Sequence, residues 1–217
     1  MQGKELNHHI RQSLVILIES ADELRDLDLD LGDGDLGITI TAGSNAVIAE
    51  LEKLPEDATP TEIARTCAKA FANANPSTMA ALVAGALLSG SRTWEGKEEI
   101  GLTEAADFVT AAASSISQRG KTQVGDKTIL DGIAGAADAL TSASDVGEAT
   151  TAVVDAAARA VRDTKDLQSR RGRASWLQER SIGLADPGAT AFQRLVEAWA
   201  RVATSSNYPP EPTIKES

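Results

Sequence analysis

Residues 26–40 read DLDLDLGDGDLGITI, and the fold class turns on whether the first six form a strand. Leucine alternates with aspartate, as on a half-buried β-strand. The run is short, however, carries a charge at every second residue and passes directly into Gly-Asp-Gly. Upstream the period is different. Leu6, Ile10, Leu14, Leu17, Ala21 and Leu24 recur at spacings of three and four, which define one helical face. The alternation is therefore read as the fraying end of a first helix plus a loop, and the chain as all-α.

Working outward, a second helix is expected from about Asp35–Gly37 to Leu54. Thr59-Pro60-Thr61-Glu62 marks the third start, with an N-cap threonine, proline at the first helical position and glutamate three residues after the cap. That helix should end near Asn73, because Asn75-Pro76 disfavours helical geometry. Further helices are expected over about Ser77–Trp94, Thr103–Arg119, Thr128–Ser142 and Val146–Lys165, with a last one near Ala189–Ser205. Asp166–Pro187 interrupts the pattern, and a tail from Ser206 containing Pro209-Pro210 reads as loose. About eight helices with mostly short connections predict sequential antiparallel packing in one domain, residues 1–205, followed by the tail 206–217.

Composition agrees. Aromatics are only 3% of the 217 residues, which suits closely packed helices better than a β-sandwich. The lone cysteine, Cys67, cannot form an internal disulfide and fits a reducing compartment. The N-terminal stretch MQGKELNHHIRQ has no apolar secretory core, and the longest apolar run, Leu14–Ile18, is too short to span a bilayer. A soluble, cytoplasmic protein is expected. A net charge of −11 argues against nucleic acid or an anionic membrane as partner.

Chemistry should lie in the loops that interrupt the helices. Counted from Asp26 as an EF-hand, the aspartate loop has glycine at position seven instead of six and Gly37 at position twelve instead of glutamate. Calcium of that type is excluded. Gly32 and Gly34 would let Asp28, Asp33 and Asp35 converge on magnesium beside a helix N-terminus, though a solvated acidic turn has the same composition. Ser77 and Thr78 open a helix, either as ordinary caps or as phosphate-binding hydroxyls. Gly125-Asp126-Lys127-Thr128 opens another, where Lys127 could neutralise phosphate charge. Arg170, Arg171, Arg173 and Arg180, interleaved with Gly172, Gly183 and Gly188, make a basic island in an acidic chain; it is either a solvated loop or a functional one. His8 and His9 fall on the first helix and are read as structural.

Taken together, LDLDLGDGDLG, PSTMAALVAGALL, GDKTILDG and GRASWLQERSIGLADPGA resemble the nucleotide-binding L subunit of dihydroxyacetone kinases, the DhaL family, in order, spacing and whole-chain coverage. The resemblance implies an antiparallel eight-helix barrel with ADP or ATP bound at one end, in the interhelix loops. It implies two magnesium ions on Asp28, Asp33 and Asp35. It further implies nucleotide contacts at Ser77, Thr78, Gly125, Thr128, Ile129, Arg173, Asp186 and Gly188. Arg173 or Arg180 would stabilise the transferring phosphoryl group. The acceptor, dihydroxyacetone or another short ketose such as a tetrulose, would sit on a separate K-type subunit. A phosphotransferase-system phosphoprotein is the alternative phosphoryl source, and a homodimer is a further option. The sequence departs from the family's Gly-Asp-Gly-Asp-His-Gly at Leu36, and Asn75-Pro76-Ser77-Thr78 stands where a glycine-rich serine loop is usual. The competing function is a nucleotide-bound interaction module that docks on a regulator without turnover.

Overall fold

The structure, a computed structural model, describes residues 1–205; the expected loose tail lies outside the described residues. The described part is all-α: α1 (Gly3–Ile18), α2 (Ala21–Leu31), α3 (Leu36–Leu51), α4 (Pro60–Ala74), α5 (Thr78–Ser91), α6 (Leu102–Gly120), α7 (Ile129–Ser142), α8 (Val146–Lys165) and α9 (Pro187–Ser205). Two 3-10 segments, Arg92–Trp94 and Arg173–Ser181, punctuate the connections.

Two expectations need correction at the N-terminal end. The first helix is broken at Glu19–Ser20 into α1 and α2. DLDLDL is then neither loop nor strand but the end of α2. The helical period explains this. Leu24 and Leu31 are buried and Leu27 is half-buried, at spacings of three and four, while Leu29 is left exposed.

Eight helices close a ring. In order α1, α3, α4, α5, α6, α7, α8 and α9, each packs on the next, and α9 returns to α1. Helix α2 is the extra element, packed on α3 and α9 and tied to α9 by Arg194, which donates from Nε and Nη2 to the Glu23 carboxylate at 2.8 and 2.6 Å. Neighbours in the ring alternate in direction. At the base, Asn7 near the start of α1 donates to the carbonyl of Leu51 at the end of α3, and Thr61 of α4 donates to the Trp94 carbonyl after α5. α4 begins there with the expected capping box, Thr59 accepting from the Glu62 N–H and Glu62 accepting from the Thr59 N–H. Such a cap contributes about 1 kcal/mol.

Close approach of the helices follows from a repeated pairing. Each of the three phenylalanines lies over a glycine of another helix: Phe71 over Gly43, Phe108 over Gly90 and Phe192 over Gly132. A methyl group on Gly43 would stand 2.3 Å from the Phe71 ring. Each phenylalanine thus fills a recess cut by a missing side chain.

Candidate functional site

Alternation in the ring gathers the starts of α3, α5, α7 and α9 at one end. Asn75, just before α5, donates to Thr39 in the first turn of α3 at 2.9 Å. A Cβ on Gly188 of α9 would touch Met79 of α5 and Ile129 of α7. The starts of α3, α5 and α7 offer free N–H groups and the positive ends of their dipoles; at α9, where Pro187 has no N–H and those of Gly188 and Ala189 are held by Asp186, only the dipole remains.

The aspartates meet here. One ligand oxygen from each of Asp28, Asp33 and Asp35 lies within 4.8 Å of the others. Local structure explains how. Asp28 stands in the last turn of α2, and its Oδ2 accepts from the Leu36 N–H at 3.2 Å, capping α3 from outside. Gly34, at φ +74°, reverses the chain between them in a conformation that disfavours a side chain. Asp35 is the residue before α3, yet its carboxylate makes no capping bond and stays available. Burial raises the Asp35 carboxyl above its ordinary range, repulsion from Asp33 and Asp28 adds to this, and Arg173 opposes it. A cation at this point would relieve the resistance of Asp35 to ionisation. Oxygen-only donors of this kind fit a hard divalent ion such as magnesium.

Arg173 is the basic counterpart. Its Nη1 donates to Asp33 Oδ1 at 2.5 Å, tying the arginine loop to the triad. Both partners are about half exposed, so the pair contributes roughly 0–1 kcal/mol and is readily exchanged. Arg180, exposed near the end of the same 3-10 segment, makes no such bond to the triad.

The other expected residues line the helix starts. Ser77 caps α5, its Oγ accepting from the Ala80 N–H at 3.1 Å, and Thr78 is exposed in the first turn. Thr128 caps α7, and Ile129 is half-buried beside Gly188. Gly125 has φ +90°, with its N–H donated to Asp131 at 2.6 Å. Asp186 caps α9 by accepting from the Ala189 N–H at 2.7 Å. Burial pushes its carboxyl up to about 7, against the N–H bonds from Ala189 and Gly188.

One expectation fails. Lys127 is only 1% exposed, and its Nζ donates to the carbonyls of Lys165, Leu167 and Ser181 at 2.8, 2.9 and 2.6 Å. An ammonium has three donors, and all are engaged within the protein. It cannot also serve a phosphate. Two residues of the same motif, given no role from sequence, hold this loop. Asp131 accepts from the Gly125 and Thr128 N–H groups, and Asp126 accepts from Arg171 Nε at 3.1 Å. The Thr128-x-x-Asp131 spacing is the signal for the first; no local signal marks the second. Leu36, at the position of the family histidine, is buried in the main core and does not face the triad.

The DAK2 domain family matches residues 30–201. The chain belongs to that family. Within it, the chain is a DhaL-type DAK2 domain, as its motifs indicated. It is 34% identical over 190 residues to the ADP-binding subunit DhaL of PEP-dependent dihydroxyacetone kinase 1 from Listeria innocua, covering 86% of this chain and 90% of that one. The corresponding Escherichia coli subunit is 27% identical over 194 residues, covering 87% of this chain and 91% of that one. The L-erythrulose 1-kinase of Mycolicibacterium smegmatis is 34% identical over 179 residues, which is 81% of this chain but only 31% of that kinase. The fold matches about a third of the C. freundii dihydroxyacetone kinase solved with AMP-PNP and Mg2+: TM-score 0.74, 19% identity, 93% of this chain and 34% of that chain. Among the described residues, no helix is long and apolar enough to cross a membrane.

Proposed function

We propose that this DAK2 domain is the nucleotide-binding subunit of a short-ketose kinase, holding ADP or ATP through magnesium and passing phosphoryl to a ketose on a separate K-type subunit. One observation carries the reading: the Asp28–Asp33–Asp35 cluster lies where four helix N-termini converge, with Arg173 already on Asp33. The relatives named as ADP-binding subunits and as ketose kinases support it.

Asp28, Asp33 and Asp35 would hold the metal, which when bound would neutralise phosphate charge in the ground and transition states. The protein's own groups do the positioning. The N–H groups at the starts of α5 and α7, with the hydroxyls of Ser77, Thr78 and Thr128, orient the phosphates. Gly125, Ile129, Asp186 and Gly188 shape the surface beside them. Arg173 leaves Asp33 for the equatorial oxygens of the transferring group, a task suited to a planar guanidinium. Arg180 is the second candidate for that role.

Calorimetry with Mg-ADP tests the reading. The wild-type chain should bind, and Asp33→Ala should not, with helicity unchanged by circular dichroism. Asp26→Ala and Asp30→Ala, outside the triad, should bind normally. Equal affinity in Asp33→Ala and wild type would overturn the assignment.

A further inference from the structure

The arginine loop has no core of its own. Between the end of α8 and the start of α9, most of residues 170–180 are exposed, and Trp176 is 81% exposed. Something other than apolar packing has to fix the pose from which Arg173 reaches Asp33. The two feet of the loop are where it is held. The Gly183 N–H donates to the Lys165 carbonyl at 2.9 Å, and the Ser169 N–H to Ser181 Oγ at 2.9 Å. Between these feet sits the Lys127 ammonium, bonded to Lys165 and Leu167 on one side and Ser181 on the other.

The site is built for a cation. Carbonyls at the end of α8 lack helical partners and carry the negative end of its dipole. Lys127 reaches them from a left-handed backbone, φ +62°, which a lysine rarely adopts. Its neighbour holds the same loop: the Asp126 carbonyl accepts from the Arg170 N–H, and its carboxylate accepts from Arg171. A strained backbone persists only where its surroundings over-determine it, and such positions cluster at functional sites.

We propose that Lys127 is a positioning residue, its ammonium clasping both feet of the arginine loop so that Arg173 is presented to the triad. It touches neither metal nor phosphate and acts through Arg173. The clasp stands on contacts within the chain, whereas its consequence for nucleotide rests on the function proposed above.

Amide hydrogen exchange on the full chain separates the two. In Lys127→Met, which keeps the stem and removes the cation, exchange in residues 168–182 should quicken at least about tenfold. Exchange in α1 and α4 should stay at wild-type rates. Lys127→Ala should behave likewise and be restored by ammonium ions, which fit a carbonyl cage, but not by sodium at equal ionic strength. Unchanged exchange in the loop, loosening that spreads equally to α1 and α4, or absence of ammonium rescue would each overturn the clasp. A double-mutant cycle read by calorimetry with magnesium and AMP-PNP, which keeps the transferring phosphoryl group, then tests the positioning. Arg173→Ala should weaken binding in the wild-type background and change it less than about twofold in Lys127→Met. Full additivity would overturn the positioning role. If the wild-type chain binds no Mg-ADP, the nucleotide reading fails, and the exchange experiment still decides the clasp.

Discussion

Arg173 and Asp33, 140 positions apart in sequence, meet in a 2.5 Å hydrogen bond that joins the arginine loop to the aspartate triad. The bond is exposed and weak, so a metal on Asp33 and a phosphate beside Arg173 can replace it without loss. In Arg173→Ala, turnover with a K-type subunit should fall by roughly 10²–10³, as when a charge-stabilising donor is removed. Helicity should not change. Steady-state kinetics of the reconstituted pair measure this, and a loss below about fivefold would remove Arg173 from the transfer step.

Ligand should stabilise the fold by mass action. At free Mg-ADP a hundredfold above its dissociation constant, the gain is about 2.7 kcal/mol. EDTA should remove most of it. Thermal denaturation with and without chelator is the measurement, and a melting temperature indifferent to both would contradict a metal-dependent site.

Asp186 gives a pH signature. Its carboxyl is raised to about 7 in the fold, chiefly by burial, so the folded chain holds that proton more tightly than the unfolded chain. Its contribution is then most favourable below the ordinary carboxylate range, at about pH 4. It is lost as pH rises through about 7. Asp186→Asn keeps an acceptor for the Ala189 N–H and has nothing to ionise. Relative to wild type, the variant should gain stability as pH rises from 5 to 8 in denaturant titrations. A constant difference across that range would show that Asp186 does not titrate there.

Gly43 tests the ring's packing. Alanine would gain about 1 kcal/mol of helix propensity, but its methyl would meet the Phe71 ring at 2.3 Å. Overpacking of that kind costs about 1–3 kcal/mol and should win. Gly43→Ala should lower the melting temperature, and adding Phe71→Leu should recover part of the loss.

The isolated chain should phosphorylate no ketose, however much ATP is supplied. Transfer needs donor and acceptor within near-attack distance, and the groups gathered here suit metal and phosphate. Adding a K-type subunit should create activity that neither protein has alone. Coupled assays of each protein and of the mixture decide it, and turnover by this chain alone would show that it binds the acceptor itself.

Much of this was legible in the sequence because the signals are local. Thr59-Pro60-Thr61-Glu62 places the start of α4 correctly, and α4 runs Pro60–Ala74 against an expected end near Asn73. The triad was found because its three aspartates lie within one turn-and-loop segment, and they do converge. The break at Glu19–Ser20 was hidden because neither Gly nor Pro marks it, and the apolar period of α1 runs on into α2. Lys127 was misread for a different reason. Its partners lie 38, 40 and 54 positions away, and a lysine in a glycine-bearing loop looks exposed until the fold buries it.

The alternating ring has a consequence for how this site can change. The peptide units at the starts of α3, α5, α7 and α9 turn the positive ends of four dipoles to the mouth, and no substitution short of breaking a helix can delete a peptide dipole. Four such sources acting together are redundant. Side chains at the rim, such as Asn75-Pro76, can therefore vary while the dipoles stay in place. Loss of Ser77 or Thr128 should erode affinity in steps, whereas the aspartates, which have no backbone substitute, should fail all at once.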